Sequence, residues 1–350
     1  MTNQIDEAVY LLSNMIEIPS PSREEGDVAT FLEKYIRKYN LPTERIMNNI
    51  IIRDKRPDRS KPTILLNSHI DTVKPVKSWR RNPFKAELNN GCLYGLGSND
   101  AGASVVTLLL TAIKLFDSQK YNLVFCASAE EEISGKSGIE AILNKIGKID
   151  LAIVGEPTNM QPAVAEKGLM VLDCECRGKS GHAARNEGIN AITKAMPDLT
   201  WFQNYRFKNI SEHLGEVKMS VTQIEAGTQH NVVPDLCKFV VDIRGNGCYS
   251  NDEILSIIRE QIESTITPRS TRLNSSMLPS SHPIYKRLIE QKYQPYGSPT
   301  LSDQALMPFH SFKMGPGLSA RSHTADEFIK ITELEDALIR YEQLLDGFTF

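Results

Sequence analysis

Residues 63–71 read TILLNSHID, residues 123–132 read LVFCASAEEE, and residues 151–156 read LAIVGE. Each opens as an apolar run too short for a helix and closes on side chains able to bind a metal or a proton. Between the first two lies Ala103–Phe116 (ASVVTLLLTAIKLF), an apolar stretch of helical length. Ile5, Val9, Leu12 and Ile16 fall at helical spacing, and residues 24–39 also read as a helix. Strands alternating with helices predict an α/β domain with a mainly parallel sheet. In such sheets ligands bind beyond the carboxyl ends of the strands. Those ends carry His69 and Asp71, then Glu130, Glu131 and Glu132, then Glu156, while Asp100 precedes the long helix. Acids converging from several strand ends at one rim repel one another unless cations lie between them. His69-x-Asp71 also places an acid where it can orient the imidazole.

The middle of the chain has a different rhythm. Leu169–Arg177, Val217–Glu225 and Leu236–Arg244 read as strands, and a short strand is expected near Thr271–Asn274. Gly188–Tyr205 reads as a helix that Pro197 interrupts. Asn251–Glu263 reads as a helix opened by Ser250 with Glu253 three residues on, a capping-box pattern. The order β-α-β-β-α-β is ferredoxin-like. After about residue 275 the α/β character returns, ending in a helix near 332–346. The expected architecture is a catalytic α/β domain, residues 1–166 and 275–350, interrupted by a smaller domain at 167–274.

The 350 residues exceed one typical core, and 41% hydrophobic with 24% charged residues is an ordinary globular composition. A net charge of −3 with no long basic run argues against a nucleic-acid binder. The start, MTNQIDEAVYLLSNMIEIPS, lacks the basic flank of a signal peptide, and no apolar run approaches membrane-spanning length. The six cysteines include no C-x-x-C pair and read as reduced structural thiols of a cytoplasmic protein. Other motifs fail. Gly95-Leu96-Gly97 has Asp100 where a dinucleotide fingerprint needs its third glycine, Asp173 stands where a phosphate loop ending at Gly178-Lys179-Ser180 needs its first, and no G-x-S-x-G elbow occurs.

SHIDTV (68–73), GLGSND (95–100), EEISGKSG (131–138), VGEPT (154–158), SGHAA (180–184) and GPGLSARSH (315–323) follow one another in an order that resembles the M20 family of metallopeptidases and deacylases, above all its acetylornithine deacetylase branch, with desuccinylases close behind. That resemblance implies a zinc-peptidase-like catalytic domain and a ferredoxin-like lid domain that also makes a homodimer. It implies two divalent ions, zinc by ligand type, with cobalt or manganese able to fit. His69 and Glu156 would hold one ion, Glu132 and His323 the other, and Asp100 would bridge both. Glu131 would be the general base for a metal-bound hydroxide, and Asp71 would orient His69. Glu130 leaves the acidic pair open between 130–131 and 131–132; the family often carries an acid just before the pair, which favours 131–132. His182 would reach the partner subunit's active site and stabilise the oxyanion. Arg244, in DIRG, would clamp the substrate α-carboxylate, and Asn231 would line the pocket. Gly315 and Gly317 would let the loop backbone approach the substrate. Ala101-Gly102-Ala103 departs from the Met-Lys-Gly common in relatives but removes no ligand. Glutamate at 156, where aminopeptidase relatives tend to carry aspartate, favours N-acyl cleavage. The implied substrate is an N2-acyl-L-ornithine, acetyl or succinyl, of arginine biosynthesis; a succinyl-diaminopimelate, an acyl-lysine or a dipeptide is the alternative.

Overall fold

The computed structural model describes residues 2–185 and 187–350. The chain divides into two compact units: Met1–Val164 with Met277–Tyr296 and Ser302–Phe350, and Ala165–Ser276 with Gly297–Leu301. Gly297–Leu301 thus groups with the second unit, although the sequence assigns it to the first; within that unit a Cβ on Gly297 would lie 2.0 Å from the His213 carbonyl oxygen.

The first unit is built on a mixed sheet with parallel strands at its centre. Its order runs Thr43–Ile46, Asn49–Arg53, Asn122–Ser128, Thr63–His69, Leu151–Val154, Ser311–Lys313. Thr63–His69 pairs in parallel with both Asn122–Ser128 and Leu151–Val154, in a register that sets His69 opposite Ser128. Ser311–Lys313 joins Leu151–Val154 in parallel. The hairpin Thr43–Ile46/Asn49–Arg53, which the sequence reading missed, adds antiparallel strands at one edge. The central strands are buried on both faces, as covered parallel strands are, which is why they read as unbroken apolar runs. Helices Thr2–Ile16, Ala103–Leu115 and Ile331–Leu345 supply much of the main core, including Leu11, Leu12, Val106, Leu109, Leu338 and Tyr341. Ala103–Leu115 is buried nearly all round, so it shows no polar face.

The second unit has a four-stranded antiparallel sheet in the order Lys218–Ala226, Leu236–Arg244, Leu169–Arg177, Thr265–Pro268. That is the ferredoxin-like order. Alternation along Leu169–Arg177 turns Met170, Leu172, Cys174 and Cys176 into a core with Phe202, Phe239 and Ile258. Helix Ala191–Asn204 starts where Asn190 accepts from the N–H groups of Ile192 and Thr193. It runs through Pro197 without a break, because Ala191, Ala195, Asp198 and Phe202 bury one continuous face. Helix Asn251–Arg259 carries the expected Ser250–Glu253 capping box. The strand expected near Thr271–Asn274 lies instead at Thr265–Pro268. Residues 271–274 are held by the Asn251 amide, which donates to the carbonyls of Thr271 and Leu273. All six cysteines are free, and no helix among the described residues is long and apolar enough to cross a membrane.

Candidate active site

His69 ends its strand almost fully buried, at 2% exposure. Its Nδ1–H donates to the main-chain carbonyl of Asp71 at 2.9 Å, which fixes the tautomer and turns Nε2 into the site. Nε2 faces Asp100 Oδ1 at 3.3 Å, Glu131 Oε2 at 3.9 Å and Glu156 Oε1 at 4.0 Å. The Asp71 carboxylate, expected to orient the ring, stands 3.5 Å from Nδ1. It also accepts from the backbone N–H of Glu131 at 3.0 Å, that of Glu132 at 3.1 Å and the Ser22 hydroxyl at 2.7 Å. Asp71 therefore sets two neighbours at once: its carbonyl holds His69 and its carboxylate holds the acidic pair.

Asp100 stands in an irregular turn ahead of helix Ala103–Leu115, after Gly97 in the left-handed region at φ 76°; the Asp100–Ala101 peptide is cis. The three consecutive glutamates diverge. Glu130 is left-handed, and its carboxylate accepts from Ser137 N at 3.2 Å. Glu131 turns toward His69, and Glu132 meets His323 Nε2 at 2.9 Å. His323, half exposed and left-handed at φ 60°, also lies 3.7 Å from Asp100 Oδ2.

Two ligand groups result: His69, Asp100 and Glu156, and Asp100, Glu132 and His323, the donor atoms of each within 4.8 Å of one another. Asp100 belongs to both; Glu131 belongs to neither. Burial, reinforced by Asp100, pushes the Glu156 carboxyl up to about 8, and burial with the nearby charges of Glu156, Asp303 and Glu132 drives Glu131 well above the usual range despite His69. Burial disfavours the His69 imidazolium, but Glu131, Asp100 and Asp71 outweigh it and raise its pKa well above normal. The hydrogen bond to Glu132 raises His323 to about 9. Glu156 Oε1 is buried and has no hydrogen-bond partner. An orphaned carboxylate oxygen inside a cluster of acids is costly unless a cation meets it. Imidazole and carboxylate donors sharing one bridging acid suit two divalent ions of the zinc, cobalt or manganese type.

Residues 65–347 match the profile of peptidase family M20/M25/M40. The chain belongs to that family. It is 29% identical over 347 residues to the [LysW]-lysine/[LysW]-ornithine hydrolase of Sulfurisphaera tokodaii, covering 95% of this chain and 92% of that one. It is 27% identical over 309 residues to an acetylornithine deacetylase of Proteus mirabilis, covering 81% and 79%. Its fold is that of the Bacillus subtilis YxeP protein, described as a dinuclear metal-binding peptidase of the M20 family, with a TM-score of 0.75 at 16% identity over 99% of this chain and 98% of that one. The protein is a metal-dependent hydrolase of the M20 family.

Other expected site residues of this M20 hydrolase have partners of their own. Arg244, at the end of strand Leu236–Arg244, forks onto Asp242, Nε–Oδ1 2.8 Å and Nη2–Oδ2 3.1 Å. His182 is exposed on the short strand Gly181–His182, opposite Val232, and its Nδ1 accepts from Ala184 N at 3.1 Å. Asn231 is exposed beside it, its carbonyl accepting from Ala183 N at 3.0 Å. Gly315 is buried and packed on Glu156: a Cβ there would lie 2.5 Å from the Glu156 carbonyl oxygen and 2.4 Å from Ser104 Oγ. Its N–H donates to Thr158 Oγ1 and its carbonyl accepts from Thr158 N and Met160 N. One close approach that favours glycine at position 315 is thus to the Glu156 backbone. Gly317, at φ 85°, packs in the same way on Asn99: a Cβ at 317 would lie 2.2 Å from Asn99 Oδ1.

Two buried acids of this hydrolase escaped sequence reasoning. Asp303 Oδ2 accepts from Asn67 Nδ2 and from Ser128 Oγ, both at 2.7 Å, joining the strands that end in His69 and lead to Glu131. Glu327 binds the backbone of the Asp100 turn. A single acid in a loop carries no periodic signal; the one clue was their burial, which only the fold reveals.

Proposed function

We propose that this hydrolase removes the acetyl or succinyl group from N2-acyl-L-ornithine, a step of arginine biosynthesis. The observation that carries the proposal is the pair of groups sharing Asp100, with Glu131 3.9 Å from His69 Nε2 and part of neither. His69 and Glu156 would hold one divalent ion, zinc by ligand type, and Glu132 and His323 the other, with Asp100 shared by both groups. When bound, the two ions polarise the amide carbonyl and lower the pKa of a water. Glu131 would take a proton from the attacking water and pass it to the leaving nitrogen, so that amide and water become carboxylate and ammonium. Arg244 exchanges Asp242 for the substrate α-carboxylate, which its fork fits equally well. Asn231 lines the substrate pocket. His182, on a second copy, steadies the oxyanion. The exposed apolar side chains Val221 and Ile224 on the sheet-edge strand and Ile192 and Met196 on helix Ala191–Asn204 support a homodimer through the inserted unit. The six free thiols fit a cytoplasmic enzyme.

The test is amine release from N-acetyl-L-ornithine and N-succinyl-L-ornithine by zinc- or cobalt-loaded protein, with a chelator control. Metal-dependent release from one, much faster than from the other, establishes the reaction and the acyl group. A second reading, hydrolysis of an N2-acyl-lysine, is favoured by the relative named for lysine and ornithine conjugates, which matches 95% of the chain. Adding N2-acyl-lysines, succinyl-diaminopimelate and dipeptides to the same panel separates it; silence on both ornithine substrates with metal bound removes the ornithine proposal.

A further inference from the structure

The turn that presents Asp100 is tied to one side chain far along the sequence. Glu327, 2% exposed, accepts from Gly97 N at 3.1 Å through Oε2 and from Asn99 N at 2.8 Å and Asp100 N at 2.9 Å through Oε1. Its own carbonyl accepts from Gly95 N at 3.0 Å. The turn needs this support, because Asp100 and Ala101 leave the helical region and their stretch forms no continuous helical ladder. Converging backbone N–H groups form a nest that an anion fills, and here the anion is a side chain. Between Asp100 and Glu327 the same two segments are laced again: Asn99 Nδ2 donates to the Leu318 carbonyl at 3.1 Å and Asn99 Oδ1 accepts from Leu318 N at 2.9 Å. His323 lies between those attachments in the chain. One carboxylate therefore fixes the segment of the shared acid to the segment of the exposed histidine.

We propose that Glu327 is a positioning residue that holds the Asp100 carboxylate at the place where both ligand groups use it; this rests on the reading of Asp100 as the bridging ligand. Glutamine has almost the same shape but offers one acceptor oxygen, and its amide N–H2 would confront a backbone N–H. Outer partners of metal ligands change metal affinity by about 10–100-fold when mutated.

The experiment titrates chelator-stripped wild type, E327Q and E327D with zinc by calorimetry and records the visible spectrum of each cobalt form, with circular dichroism of the stripped proteins as a folding control. E327Q is expected to keep its circular dichroism, bind zinc about 10–100-fold more weakly and give an altered cobalt spectrum. A merely structural role would lower the melting temperature and leave the cobalt spectrum as in wild type, and that result overturns the proposal. E327D retains the charge but is one methylene too short to reach all three N–H groups. Where E327Q fails to fold, wild-type zinc affinity in E327D overturns the proposal and weakened affinity supports it. Wild-type protein that binds no zinc defeats the two-metal reading itself, an outcome separate from an unaffected E327Q.

Discussion

The carboxylate of Asp71 accepts a 3.0 Å hydrogen bond from the backbone N–H of Glu131, 60 residues on in the chain. The second oxygen receives Glu132 N and the Ser22 hydroxyl. Asparagine at 71 keeps one acceptor and sets an N–H2 against the other backbone donor. D71N is therefore expected to lower turnover by about 10–100-fold, the range for outer partners of metal sites. S22A, which leaves both backbone bonds in place, is expected to stay within a few-fold of wild type. Steady-state kinetics on both variants decide it, and D71N at wild-type turnover removes the assigned role.

Glu131 lies outside both candidate ligand groups, so losing its charge removes the proposed base without removing a proposed ligand. E131Q is expected to bind the same number of zinc ions as wild type and to lose about 10²–10⁴ in kcat. Metal analysis of the purified variant, run beside the assay, separates the two effects. A drop in bound zinc would make Glu131 a ligand; full activity would remove it as the base.

His69, Asp100, Glu132, Glu156 and His323 were legible because strand ends and motif order announce them, and the two ligand groups hold all five. The ferredoxin-like unit was legible from its alternation, as in Leu169–Arg177 with its regularly buried odd-and-even pattern. Boundaries set by tertiary contacts were not. Pro197 reads as a break, yet the buried face of its helix outweighs one lost hydrogen bond. The hairpin around Met47 was missed because its strands are four and five residues long and its turn uses a left-handed methionine where glycine or asparagine would signal it. Asp303 and Glu327 bond chiefly to partners hundreds of residues away in the chain or to main-chain groups, which no local pattern encodes.

Asp303 gives a pH test at a carboxyl that belongs to neither ligand group. Burial raises its carboxyl from 3.8 to about 6, even though Ser128 and Asn67 donate to it. A raised folded-state pKa means the folded chain holds this proton more tightly than the unfolded chain. The resulting stability is complete below about 3.8 and is lost as pH rises through about 6. The full change is up to roughly 3 kcal/mol. D303N removes the titrating charge and keeps an oxygen able to accept from both donors. Metal-free D303N is expected to match metal-free wild type near pH 4 and to melt higher at pH 8. Chelator-treated samples scanned from pH 4 to 8 check it; a D303N that melts lower at pH 8 than wild type would mean the charge stabilises the site.

Gly315 offers the sharpest test of how the Glu156 ligand is held. A methyl group at 315 would meet Ser104 Oγ at 2.4 Å, Glu156 O at 2.5 Å and Glu156 N at 3.0 Å. The serine hydroxyl can rotate away, whereas relieving the Glu156 contact requires a shift of main chain just beyond strand Leu151–Val154, whose register is set on both sides by parallel neighbours. G315A is therefore expected to displace Glu156, weaken zinc binding by at least about 10-fold and cost about 1–3 kcal/mol of stability through overpacking. S104A added to G315A relieves the serine contact alone and is expected to leave zinc binding weak. Zinc titration and melting of the single and double variants distinguish the two contacts. Full recovery in the double variant would assign the constraint to Ser104 and free Glu156 from it.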